Sequence, residues 1–126
     1  MNKTKKRPVN LDLIHMHMPV AAIVSILHRL SGVLLIILLP YGIYLFEMSL
    51  SNEQGFLHVQ ALLCSVPGKV ITVGLGWVFF HHLCAGIRFL LIDIDIGVAK
   101  ESSVKGAWMV HAGAILLTLI VAVMLL

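Results

Sequence analysis

Charge is what this chain has least of. Asp, Glu, Lys and Arg together make up 12% of its 126 residues, where a soluble domain carries about 25%. Cysteine is nearly absent as well. Cys64 and Cys84 are the only two, and Cys84 lies inside an apolar stretch, so neither a disulfide-stapled secreted domain nor a zinc framework fits. The sequence also lacks internal repeats and low-complexity tracts. Its excess is apolar: 60% of the residues and a mean hydropathy of +1.01, against about 45–50% apolar residues in soluble domains. A chain this short cannot hide that excess in a core, because small domains leave much of their surface exposed. A disordered tail and an ordinary soluble enzyme are excluded. A small integral membrane protein, one domain over residues 1–126, remains.

The formal net charge is +3, and Lys3, Lys5, Lys6 and Arg7 crowd the start of the chain. Beside an apolar chain such a cluster sets membrane orientation and does not point to nucleic acid. The tail precedes an apolar segment, as in a signal peptide. That segment carries His28 and Arg29 and runs too far, so it reads as retained. Three stretches meet the length of about 20 residues needed to cross about 30 Å of hydrocarbon: Val20–Met48, Val70–Ile92 and Ala107–Leu126. The first is long enough to tilt or project beyond the bilayer, and Pro40 is expected to kink it. Between the spans, Ser49–Lys69 reads as a loop broken at Pro67-Gly68, with a short interfacial helix over Phe56–Val66 as an option, and Asp93–Gly106 as a polar connection. Lys and Arg outside the spans fall in the tail and the second loop, leaving Lys69 for the first loop. The positive-inside rule then puts residues 1–19 and the second loop in the cytoplasm and the C-terminus outside.

Charged and imidazole groups inside spans are costly and mark a cofactor, a pathway or a partner. His28 and Arg29 lie about 12–14 Å along the first helix from its cytoplasmic end, and His82 and Arg88 about 15 and 6 Å from the same side on the second. His111 is one turn into the third. All fall in the inner half of the bilayer, which points to one shared site. Ser25, His28, Arg29 and Gly32 are spaced for a single helical face, and His82 has Ala85 and Gly86 one turn on, with room for a flat macrocycle or a neighbouring helix. His81 faces away from His82, toward Trp77, Cys84 and Arg88. Plainer readings apply to several of these groups: His81 and His111 as hydrogen-bond donors between helices, Arg88 as a cation snorkelling to headgroups. The His28-Arg29 pair needs an anionic or polar partner. Porphyrin propionates and quinone carbonyls both suit it. A haem iron takes axial His or Met, and His82 is the best-placed donor, so a second ligand has to come from another subunit.

Two stretches carry a resemblance. Arg7-Pro8-Val9-Asn10-Leu11-Asp12-Leu13 followed by Ser25-Ile26-Leu27-His28-Arg29-Leu30-Ser31-Gly32, and His82-Leu83-Cys84-Ala85-Gly86-Ile87-Arg88-Phe89 ending at Asp93, resemble the two signatures of the succinate dehydrogenase cytochrome b556 subunits, in the right order and separation. The resemblance implies an all-α integral membrane protein with three transmembrane helices, half of a heterodimeric haem-binding anchor in the bacterial cytoplasmic membrane, with the C-terminus on the periplasmic side. It implies one haem b shared with a second hydrophobic anchor subunit, ubiquinone as substrate, and iron–sulfur and flavoprotein subunits as partners, the dicarboxylate chemistry lying on the latter. By position His82 is the axial ligand, His28 and Arg29 hold the propionates, and Ser25 and Arg29 line the quinone pocket. Arg88 and Asp93 match the polar close of the second motif, as a structural pair or a proton route. The Arg7–Leu13 tail lies against the soluble subunits. Phe89 stands where many members carry a second His, and Ile92 and Asp95 depart from the usual pattern around Asp93. The motif, and not spacing, separates His82 from His81. Two other readings compete: a fumarate reductase-type anchor using menaquinol, and a cofactor-free anchor or assembly protein.

Overall fold

A computed structural model of the chain describes residues 18–125; the basic tail with Arg7–Leu13 lies outside them. Four helices follow one another: α1 (Val20–Ser51), α2 (Glu53–Cys64), α3 (Val66–Asp93) and α4 (Lys100–Leu125). Among the described residues there are no strands. Helices 1, 3 and 4 are each long and apolar enough to span a membrane, as the three apolar stretches require. A lipid-embedded backbone has no other partner than itself, which is why these segments wind completely.

The helix ends are settled by local polar chemistry. The 32 residues of α1 rise about 48 Å, against about 30 Å of hydrocarbon, and the helix continues through Pro40. At its far end the Ser49 and Ser51 hydroxyls donate to the Phe46 and Glu47 carbonyls at 2.7 and 2.8 Å, covering acceptors that a helix end leaves bare. Asn52 then takes an extended backbone and its side chain accepts from the Gly55 N–H at 2.8 Å, which caps α2. A short helix thus forms in this loop, over Glu53–Cys64 where Phe56–Val66 is the expected range. The Pro67-Gly68 pair does not break the chain; it lies in the first turn of α3. Proline suits that position because its missing N–H has no helical acceptor there. Gly68 donates to the Ser65 Oγ at 3.1 Å, and a methyl in its place would run into the Leu62 carbonyl oxygen.

The second connection is also shorter than its composition implies, because α4 already winds at Lys100. The chain leaves α3 through Asp95 and Gly97, both at positive φ (62° and 81°), while the Ile96 N–H reaches back to the Leu91 carbonyl at 2.9 Å. A bond of that span over a left-handed residue is a standard helix stop, and Asp tolerates the conformation better than most side chains.

Helix α3 packs on both α1 and α4, α1 touches α4, and α2 rests across the far ends of α1 and α3. The core is small and sits near one end of the bundle: Val24, Ala85, Ala107 and Val110, with Val20, Ala21, Cys84 and Phe89 against it. Alanines let the backbones close on one another where no hydrophobic drive toward water exclusion operates. Elsewhere the helices present large apolar side chains outward, among them Ile36, Ile37, Val123 and Met124. The most sensitive joint is Gly68. Gly68→Ala is expected to destabilise the α2–α3 corner by about 1–3 kcal/mol, read as a lower thermal inactivation temperature of the detergent-solubilised protein; an unchanged temperature would show that the corner yields freely.

Candidate functional site

The start of α1, the end of α3 and the start of α4 meet at the same end of the bundle, which brings the intramembrane polar groups together. His28 and His82 stack face to face across α1 and α3, ring centroids 4.3 Å apart and 14° from parallel. The Phe89 ring lies 5.2 Å from His28. Gly32 lets the helices approach here, since a methyl at Gly32 would stand 3.0 Å from the His82 Cε1.

The hydrogen-bond geometry around His82 favours one tautomer. The Ser31 hydroxyl donates to the His28 carbonyl at 2.9 Å, which uses its one proton. The His82 Nδ1 lies 3.1 Å from that hydroxyl oxygen and 3.2 Å from the same carbonyl. Both oxygens can only accept in this arrangement, so Nδ1 carries the N–H and donates to them. The lone pair is thereby left on Nε2, which takes part in none of these bonds. A histidine with Nδ1–H held by an oxygen and Nε2 free is the form that binds a metal. The residues present therefore fit a haem iron with His82 as its ligand.

Ser25 and Arg29 sit on the flank of α1 and not on its packed face. The face turned into the bundle is Val24, His28 and Ser31, with Val24 and Ser31 buried. Arg29 is exposed and Ser25 half-buried, because Arg29 stands about 160° around the helix from Ser31. Both side chains are therefore open to a ligand or partner that approaches from outside this chain. Arg88 is buried, only 9% exposed. Its Nη2 donates to the Ser103 Oγ at 2.9 Å and the Ser103 carbonyl at 3.2 Å, and its guanidinium carbon lies 5.5 Å from the centre of the Phe89 ring. Asp93 is exposed at the end of α3. Five residues apart on a helix, the two point in different directions, and the structure ties Arg88 to α4 rather than to Asp93.

Residues Ser31 and Ser103 carry contacts that spacing alone leaves unremarked. Ser31 lies three residues after His28, so a face drawn from His28 instead of Ser25 would have included it. His81 and His111 do meet between α3 and α4, by stacking and not by hydrogen bonding. The fully buried His81 ring is sandwiched between Trp77 and His111, at 5.4 and 5.3 Å and 7° from parallel with each. Its two ring nitrogens have no partner among the described residues. A groove of about 460 Å³ also runs between α3 and α4, lined by Arg88, Lys105 and Ser102 with Ile87, Leu91 and Met109; Ser25, His28, Arg29 and His82 are not part of it.

The family model of the succinate dehydrogenase/fumarate reductase transmembrane subunit matches residues 3–121. This chain belongs to that family. It is similar to the succinate dehydrogenase cytochrome b556 subunit of Coxiella burnetii, 39% identical over 93 residues that cover 71% of this chain and 72% of that protein. The subunit of the same name from Rickettsia felis is 32% identical over 125 residues, 95% of this chain and 98% of that one. That of Paracoccus denitrificans is 27% identical over 114 residues, covering 90% and 88%. The matched region includes every residue from Ser25 to Asp93 discussed above, and the fold is the all-α, three-span architecture that the family description implies. As a membrane subunit of succinate dehydrogenase, the chain works within a complex of several subunits.

Proposed function

We propose that this chain is half of a haem-binding membrane anchor that completes the ubiquinone-reducing site of succinate dehydrogenase. The observation that carries the reading is the geometry of His82: its Nδ1 lies against the Ser31 hydroxyl and the His28 carbonyl, which leaves Nε2 as the nitrogen that can bind iron. The cytochrome b556 names of the relatives support haem b as the group held. This chain contributes one ligand, and a sister hydrophobic subunit contributes the other. His28 and Arg29 hold the propionates, the one stacked on His82, the other pointing outward. When bound, haem b supplies a one-electron store beside the quinone.

Reduction of a quinone to a quinol takes two electrons and two protons, so its site has to lie within reach of an iron–sulfur subunit and of cytoplasmic water. Ser25 donates its hydroxyl proton in a hydrogen bond to a quinone carbonyl oxygen. Arg29 stabilises the negative charge that develops on the quinone oxygens as electrons arrive. Both lie on the open flank of α1, where another subunit can close over them. The flavoprotein subunit performs the dicarboxylate chemistry and the iron–sulfur subunit delivers the electrons. The relatives' names favour succinate oxidation over the reverse reaction, and the free Nε2 favours a haem-bearing anchor over a cofactor-free one. Arg88 and Asp93 keep separate tasks: Arg88 fastens α3 to α4, and Asp93 is exposed at the end of α3, where it can meet protons from the cytoplasm. The chain lies in the bacterial inner membrane with its N-terminus inside and its C-terminus in the periplasm.

Three measurements test this. Ser25→Ala is expected to slow quinone reduction at least tenfold, the cost of about 1.4 kcal/mol of lost stabilisation, while dye-linked succinate oxidation is unchanged; equal loss of both rates would remove Ser25 from the quinone pocket. His82→Ala is expected to abolish the reduced-minus-oxidised haem b band of the purified complex, and a retained band would take the ligand role from His82. In intact spheroplasts Cys64, exposed at the end of α2, should react with a membrane-impermeant maleimide; labelling only after permeabilisation would invert the topology.

A further inference from the structure

The bond between His82 and Ser31 does more than orient a ring, and here we infer that Ser31 is a positioning residue that tunes the electron-donating strength of His82 and so sets the redox potential of the group bound at its Nε2. The inference rests on the reading of His82 as the haem ligand and goes beyond it.

Ser31 is 6% exposed and His82 half-buried, so the hydrogen bond between them is anchored on a buried hydroxyl. The Ser31 hydroxyl is itself polarised, because its proton is committed to the His28 carbonyl at 2.9 Å. A hydroxyl that donates is a better acceptor, as each bond in a hydrogen-bonded chain strengthens the next. The Nδ1–H of His82 therefore faces two oxygens at 3.1 and 3.2 Å that pull on one proton. Pulling on that proton shifts negative charge toward Nε2 and raises the basicity of the ligand. A more basic ligand stabilises ferric iron more than ferrous iron, which lowers the potential; hydrogen bonding around a haem ligand is one of the protein's main means of adjusting it. Gly32 keeps the geometry tight, since a side chain there would press on the His82 Cε1.

The hydroxyl is not needed for the fold. The helix turn it bridges, from Ser31 back to His28, stands without it, and the His28 carbonyl remains as the one partner of the two for Nδ1–H. Loss of the hydroxyl thus leaves the ligand in place and weakens its donation.

The test uses the purified complex with its haem bound. Ser31→Ala is expected to retain the haem band, move the midpoint potential in a visible redox titration to a more positive value, and alter the g-values of the oxidised haem in low-temperature electron paramagnetic resonance. Ser31→Thr, which keeps the hydroxyl, should restore both. A retained band with unchanged potential and g-values in Ser31→Ala overturns the inference. Should that variant fail to assemble, Ser31→Cys, of similar size and with a much weaker acceptor, is judged by the same two readouts. His82→Ala separates the two levels. Its band lost, with no shift in the Ser31 variants, removes the tuning role alone; its band retained removes the ligand assignment beneath it.

Discussion

Everything at the polar end of this bundle depends on a rule of hydrocarbon surroundings: a polar atom there has to find its partner inside the protein. The chain meets that rule across helices at His82 and Arg88, while the two His81 ring nitrogens have no partner among the described residues. His82 on α3 donates to Ser31 and to the His28 carbonyl on α1, and Arg88 on α3 donates to Ser103 on α4. Those bonds place α3 at the centre of the bundle, fixed to a neighbour on each side. The alanines and glycines between the three helices bring the backbones close enough for the bonds to form. The same bonds decide which atoms are spent: the Nδ1 of His82, the Ser31 hydroxyl and the Arg88 guanidinium are all engaged between helices.

Much of this was legible in the sequence. Three spans, and the crowding of imidazole and guanidinium groups toward one end of them, follow from hydropathy, depth and residue spacing; the stacking of His28 on His82 does not. What spacing did not show was which side of each helix turns inward. Ser25, His28, Arg29 and Gly32 share a broad face, yet α1 rotates so that Ser31 is buried and Arg29 is not. That rotation is set by α3 and α4, whose contacts are tertiary and leave no periodic trace in α1. The turn chemistry was misjudged for a similar reason. Pro67-Gly68 ends helices in many settings, but with Ser65 before it as a cap the same pair begins one. The His81–His111 stack was visible only as two histidines of uncertain purpose, because ring stacking between helices has no sequence signature.

Family membership sharpens the picture without making it. The relatives in Coxiella, Rickettsia and Paracoccus carry cytochrome b556 names, while the tautomer of His82 and the outward aim of Arg29 come from geometry in this chain. The geometry separates two flanks of one helix turn. Ser31 and Gly32 face His82 on α3; Ser25, half-buried, and Arg29, exposed, lie on the other flank. On the function proposed above, one helix serves an iron from one flank and a quinone from the other.

His28 and His82 are separated by 54 positions in the chain. Ribosomes add about 5–20 residues per second, so for several seconds during synthesis the first helix is in the bilayer before its histidine partner has been made. An imidazole and a guanidinium embedded at that depth cannot wait unsatisfied. Nascent α1 must meanwhile be wetted by headgroups or sheltered by another protein, and the order in which the chain is translated makes that interval part of its biogenesis.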